Sequence, residues 1–394
     1  MIQILLIVAI ALIVFYLILN IQEIPGMWKF FLAVIEMIIV SQIFIKKYKM
    51  PSEMGLVLVK SKKSLAVIDK MANHNKLFNF FADVGNSIAY GLLSLVIMKK
   101  KATISAIILG LFILGFASFI VGPSAFIFLF DILNVGDMEK SVSTVSGNIE
   151  FGFWIVSAML LIGGLFLFIL FGILYYGVVI IADIINTITF GTQFTTEPGG
   201  TLLLPGVNLP FFEGILALAI VLIVHEGAHA ILTRIAKIPL LSSGIVLFGI
   251  IPMGAFIEPD EKKLSKLDDE RQTRVLIAGS TSNLITSCVI FTIFFLYVTI
   301  GNYIGIFQIA YDGIWNIAGF EFAVAFAPFK FIYITLGLMF ALNFIVGAVN
   351  LLPLPLFDGY RIIEVNVKQR YIVKALMYVT LAFFILNFVP WFLK

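Results

Sequence analysis

Apolar runs close to 20 residues long recur along the chain and are separated by short polar segments. A run of that length forms a helix that crosses a hydrocarbon core about 30 Å thick. The clearest runs predict spans at residues 1–20, 27–45, 103–130, 212–233, 275–300, 331–350 and 371–392. The first run lacks a basic segment and a small-residue cleavage site, so we interpret it as a retained span and not as a removed signal peptide.

Two further stretches are less regular. Residues 151–182 carry no charge and are long for one helix but short for two, with Gly163, Gly164 and Gly172 as candidate bends. Residues 77–98 contain Asp83 and Asn86, which favours an interfacial or re-entrant helix over a crossing. The whole pattern predicts an all-α polytopic membrane protein with about eight or nine transmembrane helices.

A different apolar pattern follows the 212–233 run. Residues 239–257 are rich in glycine and β-branched side chains, which predicts a small membrane-embedded β-hairpin or strand region, with a re-entrant helix as the alternative. The edge of such a hairpin would pair with an extended polypeptide. The charged residues 258–274 then predict a solvated loop.

Composition supports the membrane class. Of the residues, 61% are hydrophobic and 12% are charged, and the mean hydropathy is +1.09. A soluble domain cannot bury that much apolar surface. The chain has a single cysteine, Cys288, which excludes an internal disulfide.

Charge asymmetry predicts the orientation. Lysines are concentrated in residues 46–101, whereas Asp131, Asp137, Glu139 and Glu150 cluster after the 103–130 run. Because positively charged loops stay on the cytoplasmic side, the lysine-rich segment is predicted to be cytoplasmic and the acidic loop external. This orientation requires an even number of crossings in residues 151–190.

The sequence His-Glu-Gly-Ala-His at residues 225–229 lies inside the 212–233 run. Histidines four residues apart share one helical face, so His225 and His229 can bind one metal ion while Glu226 reaches a water on it. The chain has three histidines in all, which makes a chance match improbable. The third, His74, lies in a polar stretch and is predicted to be a solvated loop residue.

A catalytic zinc site needs a third protein ligand and leaves one position for water. The best candidate is Asp358, which follows Pro353 and Pro355 in the segment Asn350–Gly359. The prolines prevent a regular helix, and broken backbone within a membrane lines a wet cavity or is buried in protein. The alternative is an ordinary helix end at which Asp358 and Gly359 form a turn.

The two motifs together resemble the site-2 protease family of intramembrane zinc metalloproteases. Within that resemblance His225, His229 and Asp358 match the ligands of one zinc ion per chain, and Glu226 matches the catalytic base. Asn350 matches an asparagine that helps to bind substrate or the catalytic water. The resemblance implies an endopeptidase that cleaves within or near transmembrane segments of membrane-anchored proteins in regulated intramembrane proteolysis.

Weaker segments agree with the resemblance. Pro252–Phe256 and Pro205–Asn208 are similar to stretches that flank the metal helix, the latter as in archaeal members. Ala278–Gly279 followed by Asn283 is similar to an element that contacts substrate or water, although Ser280 replaces its proline. Close helix packing by small residues, with Asn283 bonding across the interface, is the alternative.

The resemblance covers roughly residues 190–370 and predicts two regions. Residues 1–190 form an N-terminal transmembrane region with the basic cytoplasmic segment 46–101, and residues 191–394 form the metalloprotease core. Residues 301–330 are too few for an inserted PDZ domain. The implied location is the cell membrane, with the active site nearer the cytoplasmic face. The expected partners are the lipid bilayer and a membrane-spanning protein substrate, with no nucleic acid, and the oligomeric state stays open.

Two alternative functions remain open from the residues alone. One is an integral zinc peptidase of the CaaX type, in which Glu258 or Glu364 would be the third ligand. The other is a non-catalytic membrane transporter or scaffold that binds metal in transit through the His/Glu cluster.

Overall fold

The computed structural model is mostly helical. It describes residues 2–21, 23–24, 26–53, 55–60, 63–98, 103–133, 141–201, 203, 205, 209–303, 309–317, 320–325 and 330–393. Some residues of the segments named above lie outside these ranges. They are Lys62 and Lys99–Lys101 of the lysine-rich segment, Asp137 and Glu139 of the acidic loop, and Gly206–Asn208.

Helices and two small antiparallel sheets make up the described chain. The helices are α1 (Ile2–Asn20), α2 (Gly26–Tyr48), α3 (Lys63–Ala72), α4 (Asn75–Tyr90), α5 (Ser94–Met98), α6 (Ile104–Leu133), α7 (Ser141–Phe190), α8 (Phe211–Ile235), α9 (Glu261–Leu264), α10 (Asp269–Tyr303), α11 (Lys330–Val349), α12 (Asp358–Asn366), α13 (Arg370–Leu386) and α14 (Pro390–Leu393). The strands are β1 (Ser52–Glu53), β2 (Leu56–Lys60), β3 (Leu240–Phe248), β4 (Ile251–Pro259), β5 (Ile309–Ile317) and β6 (Phe320–Ala325).

Six helical segments among the described residues are long and apolar enough to cross a membrane. They are Asn75–Ile97, Phe153–Phe190, Phe211–Ile235, Asp269–Gly301, Lys330–Val349 and Arg370–Leu393. Helices α1, α2 and α6 cover the other predicted spans and are not among these six. The mainly helical membrane architecture is therefore confirmed, whereas the count of eight or nine spans is not.

Two compact units divide the chain. The first comprises Met1–Asn73, Leu202–Leu264 and Thr286–Phe344, and the second comprises His74–Thr201, Ser265–Ile285 and Ile345–Lys394.

The first unit contains a four-stranded antiparallel sheet in the order β1-β2-β3-β4. Strands β3 and β4 form the hairpin predicted for residues 239–257, and Gly249 makes the turn with a φ of 62° that favours glycine. The backbone N–H of Gly249 donates to Ser41 Oγ at 2.7 Å. The sequence did not predict that β2, from the N-terminal region, pairs with β3 from Val57 to Lys60.

The second unit buries the polar residues of α4. The Asp83 carboxylate is 1% exposed and accepts two hydrogen bonds from Arg274 of α10, at 2.7 and 2.9 Å. Arg274 also pairs with Glu270 at 2.6 Å. Residues 77–98, for which an interfacial or re-entrant helix was predicted, lie in the largely buried segment Asn75–Ile97, which is long and apolar enough to cross a membrane.

Helix α7 is broken at Gly164, which has a φ of 62° and a ψ of −160°. This break lies at one of the three glycines, Gly163, Gly164 and Gly172, at which a bend was predicted. The break receives the end of α4, because a side chain on Gly164 would collide with the backbone of Ala89 and Tyr90. Gly91, with a φ of 55°, meets the backbone of α7 from the other side. Two glycines thus permit direct backbone contact between α4 and α7.

Candidate metal centre

Helix α8 carries two histidines on one buried face. His225 and His229 are 7% and 8% exposed, and their Nε2 atoms are 3.2 Å apart. Two imidazole ligands about 2.0–2.1 Å from one tetrahedral zinc ion would have their nitrogens about 3.3 Å apart. The spacing of the two rings therefore fits a shared metal ion.

Asp358 is placed by a tight turn between α11 and α12. Helix α11 ends at Val349, and the chain through Pro353 and Pro355 is not helical, as predicted. The turn closes with a hydrogen bond of 2.8 Å from Gly359 N–H to the carbonyl oxygen of Asn350. A side chain at Gly359 would overlap the carbonyl of Leu351, so this position requires glycine.

One ligand atom from each of His225, His229 and Asp358 can be chosen so that no two lie more than 4.8 Å apart. Among the described residues, no other group of three His, Cys, Asp or Glu side chains lies close enough to share an ion. Two imidazoles and one carboxylate form a set of ligands that zinc accepts. Asp358 also lies in the first turn of α12, where the helix dipole favours a negative charge.

Glu226 follows His225 on α8 and is half-buried. The Glu226 side chain leaves the helix in a different direction from the two histidine rings, because adjacent helical residues are rotated by about 100° around the helix axis. A carboxylate beside a metal site can move protons as a general base and acid. The arrangement thus offers metal binding and proton transfer within one turn of α8.

The two predicted asparagines lie in different settings. Asn350 directly follows α11, is half-buried, and bonds through its backbone to the turn that carries Asp358. Asn283 is completely buried on α10, where its Cβ lies close to the place that a side chain on Gly347 would occupy. This contact favours the helix-packing interpretation of Asn283 over a substrate-binding role.

The two alternative third ligands have other partners. Glu258 accepts a hydrogen bond from Ser242 Oγ and pairs with Lys60 at 3.6 Å. These contacts, the Ser242 bond first, lower the pKa of Glu258. Glu364 is 40% exposed and pairs with Arg370 at 2.7 Å. Neither glutamate is in the group formed by His225, His229 and Asp358.

One buried polar residue was not predicted from the sequence. Tyr90, at the end of α4, is 1% exposed, and its hydroxyl has no hydrogen-bond partner among the described residues. No motif marks Tyr90. Its signal in the sequence is the spacing of Asp83, Asn86 and Tyr90, which puts three polar groups on one helical face within an apolar stretch.

A comparison with protein families covers the same region. Residues 213–390 match the family model described as peptidase family M50. An uncharacterized protein of Methanocaldococcus jannaschii is 41% identical over 81 residues, which are 20% of this chain and 22% of that protein. The chain thus matches about a fifth of that relative's length. No solved structure matches the chain. The residues that match the family model include His225, His229 and Asp358.

Proposed function

Since residues 213–390 match the model of peptidase family M50, we propose that the chain is a zinc-dependent intramembrane endopeptidase. It would cleave membrane-anchored proteins within or near a transmembrane segment, as in regulated intramembrane proteolysis. The observation that carries the proposal is the pair of imidazoles on α8, whose Nε2 atoms are 3.2 Å apart inside the matched region.

His225, His229 and Asp358 are the proposed ligands of one zinc ion per chain. When bound, zinc supplies Lewis acidity, which polarises a peptide carbonyl and lowers the pKa of coordinated water to about 7. The chain supplies the dry surroundings, because both histidines are buried. Asp358 supplies the negative charge that makes a dication less costly to hold in an apolar interior.

Glu226 is the proposed general base and acid. Its carboxylate would take a proton from the attacking water and return it to the amide nitrogen that leaves. Asn350 is proposed to hold the substrate or that water, because it adjoins the turn that presents Asp358. Asn283 is a weaker candidate for the same task, since it is buried between helices.

Strand β4 is proposed to receive the substrate. A transmembrane helix hides its peptide bonds, so the scissile region must be extended before water can attack. In the described sheet β2 pairs with one edge of β3, and β4 is the terminal strand on the other side. Strand β4 also packs against α8. An extended segment added to β4 would therefore lie beside the metal helix, held by main-chain hydrogen bonds.

The chain is a multi-pass membrane protein, and we propose the cell membrane as its location, with the site nearer the cytoplasmic face. The support is positional. Arg234 follows His229 by five residues on α8, which is about 8 Å along the helix, and Lys237 lies just beyond the end of α8. The basic residues after Asp358, such as Arg361, agree with the same orientation.

Cleavage of a reconstituted membrane-spanning peptide tests the proposal. Wild-type chain should cut within the apolar segment, and Glu226→Gln should reduce the rate about 10²-fold to 10⁴-fold while bound zinc is kept. Mass spectrometry of the products locates the cut. A transporter would instead move metal across vesicles, and that flux would survive Glu226→Gln. Unchanged cleavage in this variant would contradict the proposal.

A further inference from the structure

The segment before Asp358 exposes one large apolar side chain. Leu356 is 93% exposed, whereas Leu351 and Leu352 are completely buried and Leu354 is 4% exposed. An exposed leucine on a long apolar helix needs no special explanation, because such a helix faces lipid. Leu356 instead lies in a non-helical turn, two residues before an aspartate grouped with two histidines. Its exposure at this place therefore requires another reason.

A hydrogen bond fixes Leu356 at the tip of a β-turn. The N–H of Phe357 donates to the carbonyl oxygen of Leu354 at 2.9 Å, which puts Pro355 and Leu356 at the two central positions. Proline is favoured at the first of these, because its ring already fixes φ. The residues that dominate turns are small or polar. Turn formation therefore accounts for Pro355 but not for a leucine at the next position.

The backbone of Phe357 determines the side of the chain on which Leu356 lies. Phe357 is extended, with a φ of −111° and a ψ of 153°. Successive side chains of an extended chain leave on opposite sides, so the residues before and after Phe357 share one side. The Phe357 ring contacts Phe384 of α13, with ring centroids 6.2 Å apart. Leu356 and Asp358 therefore lie on the side opposite to this contact.

The side that Leu356 shares with Asp358 is the side of the proposed metal ion. Two residues of extended chain span about 6–7 Å, which is the separation between the backbones of Leu356 and Asp358. A scissile peptide held beside Asp358 brings the side chains that flank the cut within this range. Because Leu356 is 93% exposed, there is room beside it for one of those side chains.

We propose that Leu356 is a specificity-determining residue that contacts an apolar side chain of the substrate next to the cleaved bond. The inference rests on the proposed function, because it requires Asp358 to hold the metal. A leucine side chain offers apolar contact and no hydrogen bond, so it favours a bulky apolar neighbour over a small one. The membrane-spanning segment of a protein substrate supplies such side chains.

Two membrane-spanning peptides that differ by leucine or alanine next to the cut test the inference. Mass spectrometry of the wild-type products first locates the cut. Wild-type chain should prefer the leucine peptide about 10-fold or more in kcat/KM, the factor expected for added methylene groups in an apolar contact. Leu356→Ala should remove most of this preference. Leu356→Trp, which fills the space, should reverse it toward the alanine peptide.

The matched control is Leu5→Ala, because Leu5 of α1 is also an exposed leucine, with 61% exposure. This variant should keep the wild-type preference. Each variant should also keep about one zinc ion per chain, since leucine provides no ligand atom. Because the Leu356 side chain is exposed, its removal leaves no cavity, and the variants are expected to fold.

Cross-linking provides a readout that does not depend on cleavage. Cys288 is the single cysteine of the chain, so Cys288→Ser removes all thiols. With Glu226→Gln also present, Leu356→Cys should react through a short bismaleimide with a peptide cysteine next to the cut. It should react much less with a cysteine about ten residues away, which is about 15 Å along a helix. Leu5→Cys should show no such dependence on position.

A wild-type chain that does not distinguish the two peptides would overturn the inference. The same preference in wild type and in both Leu356 variants would also overturn it, because Leu356 would then contact lipid only. Cross-linking that is independent of the position of the peptide cysteine, or loss of zinc from Leu356→Ala, would overturn it as well. These results would leave the proposed function intact. Failure of the wild-type chain to cleave either peptide would instead contradict the proposed function.

Discussion

Helices α8 and α4 both carry polar side chains through an apolar segment, but they differ in how those side chains find partners. On α8, His225 and His229 are each other's neighbours, one turn apart, and the spacing alone predicts their joint chemistry. On α4, the Asp83 carboxylate pairs with Arg274, which is 191 residues away in the sequence. A local pattern can be recognised from the sequence, whereas a long-range partnership becomes visible only in the fold.

The largest expected effect tests the metal side of this comparison. Asp358→Ala should remove most bound zinc and abolish detectable cleavage, because two neutral imidazoles alone hold a dication weakly. Glu258→Gln and Glu364→Gln are the matched controls and should keep both properties, since these glutamates pair with Lys60 and Arg370. Zinc content by elemental analysis, together with cleavage, decides. The reverse pattern would transfer the ligand role to a glutamate.

The next effect tests whether the ion pair between Asp83 and Arg274 anchors α4 in the fold. Asp83→Asn leaves Arg274 buried with one partner fewer and should lower the free energy of unfolding by about 3–5 kcal/mol. We expect the lower end, because Glu270 still pairs with Arg274. Unfolding in mixed detergent measures the change. Glu364→Gln, which breaks an exposed pair, should cost no more than about 1 kcal/mol. Equal effects of the two substitutions would mean that α4 is not anchored by this pair.

A smaller effect is expected at the contact between α4 and α7. Gly164→Ala places a side chain at a φ of 62° and against the backbone of Ala89, so it should destabilise the fold by about 1–3 kcal/mol or more. Gly172→Ala on the same helix meets no neighbouring atom and should be neutral or slightly stabilising. Thermal unfolding of the two variants provides the comparison. A neutral Gly164→Ala would show that the contact is not tight.

The smallest effect concerns the end of α8. The Asp69 carboxylate accepts hydrogen bonds from Arg234, which lower its pKa below the ordinary value of 3.8. A lowered folded pKa stabilises the fold above pH 3.8, and this contribution is lost as the pH falls through the folded pKa. Asp69→Asn should therefore cause a small loss of stability at pH 7 that disappears as the pH falls through the folded pKa of Asp69. A loss that does not change as the pH is lowered would contradict an ionic contribution.

Much of the fold and most of the candidate site follow from local sequence signals. Apolar run length predicted four of the six segments long enough to cross a membrane, namely Phe211–Ile235, Asp269–Gly301, Lys330–Val349 and Arg370–Leu393. Pro353 and Pro355 predicted the break before Asp358. Glycine and β-branched residues predicted the hairpin of β3 and β4. Each of these signals acts within about ten to twenty residues, so the physical cause of the structure lies within one short stretch of the sequence.

The remaining features depend on partners distant in the sequence. Strand β2 pairs with β3 across more than 180 residues, and neither strand alone specifies the other. The polar residues Asp83 and Asn86 suggested a water interface because burial could not be foreseen without Arg274. The burial of Tyr90 depends on the close backbone contact that Gly91 and Gly164 allow between the end of α4 and α7. Long-range packing therefore limits what the pattern alone can predict.

Zinc stoichiometry of the purified chain tests the central claim most directly. We expect about one zinc ion per wild-type chain and none in the double variant His225→Ala/His229→Ala. His74→Ala removes the third histidine of the chain, which lies exposed before α4, and should leave the zinc content unchanged. A wild-type chain without zinc, or a double variant that keeps it, would contradict the metal centre on α8.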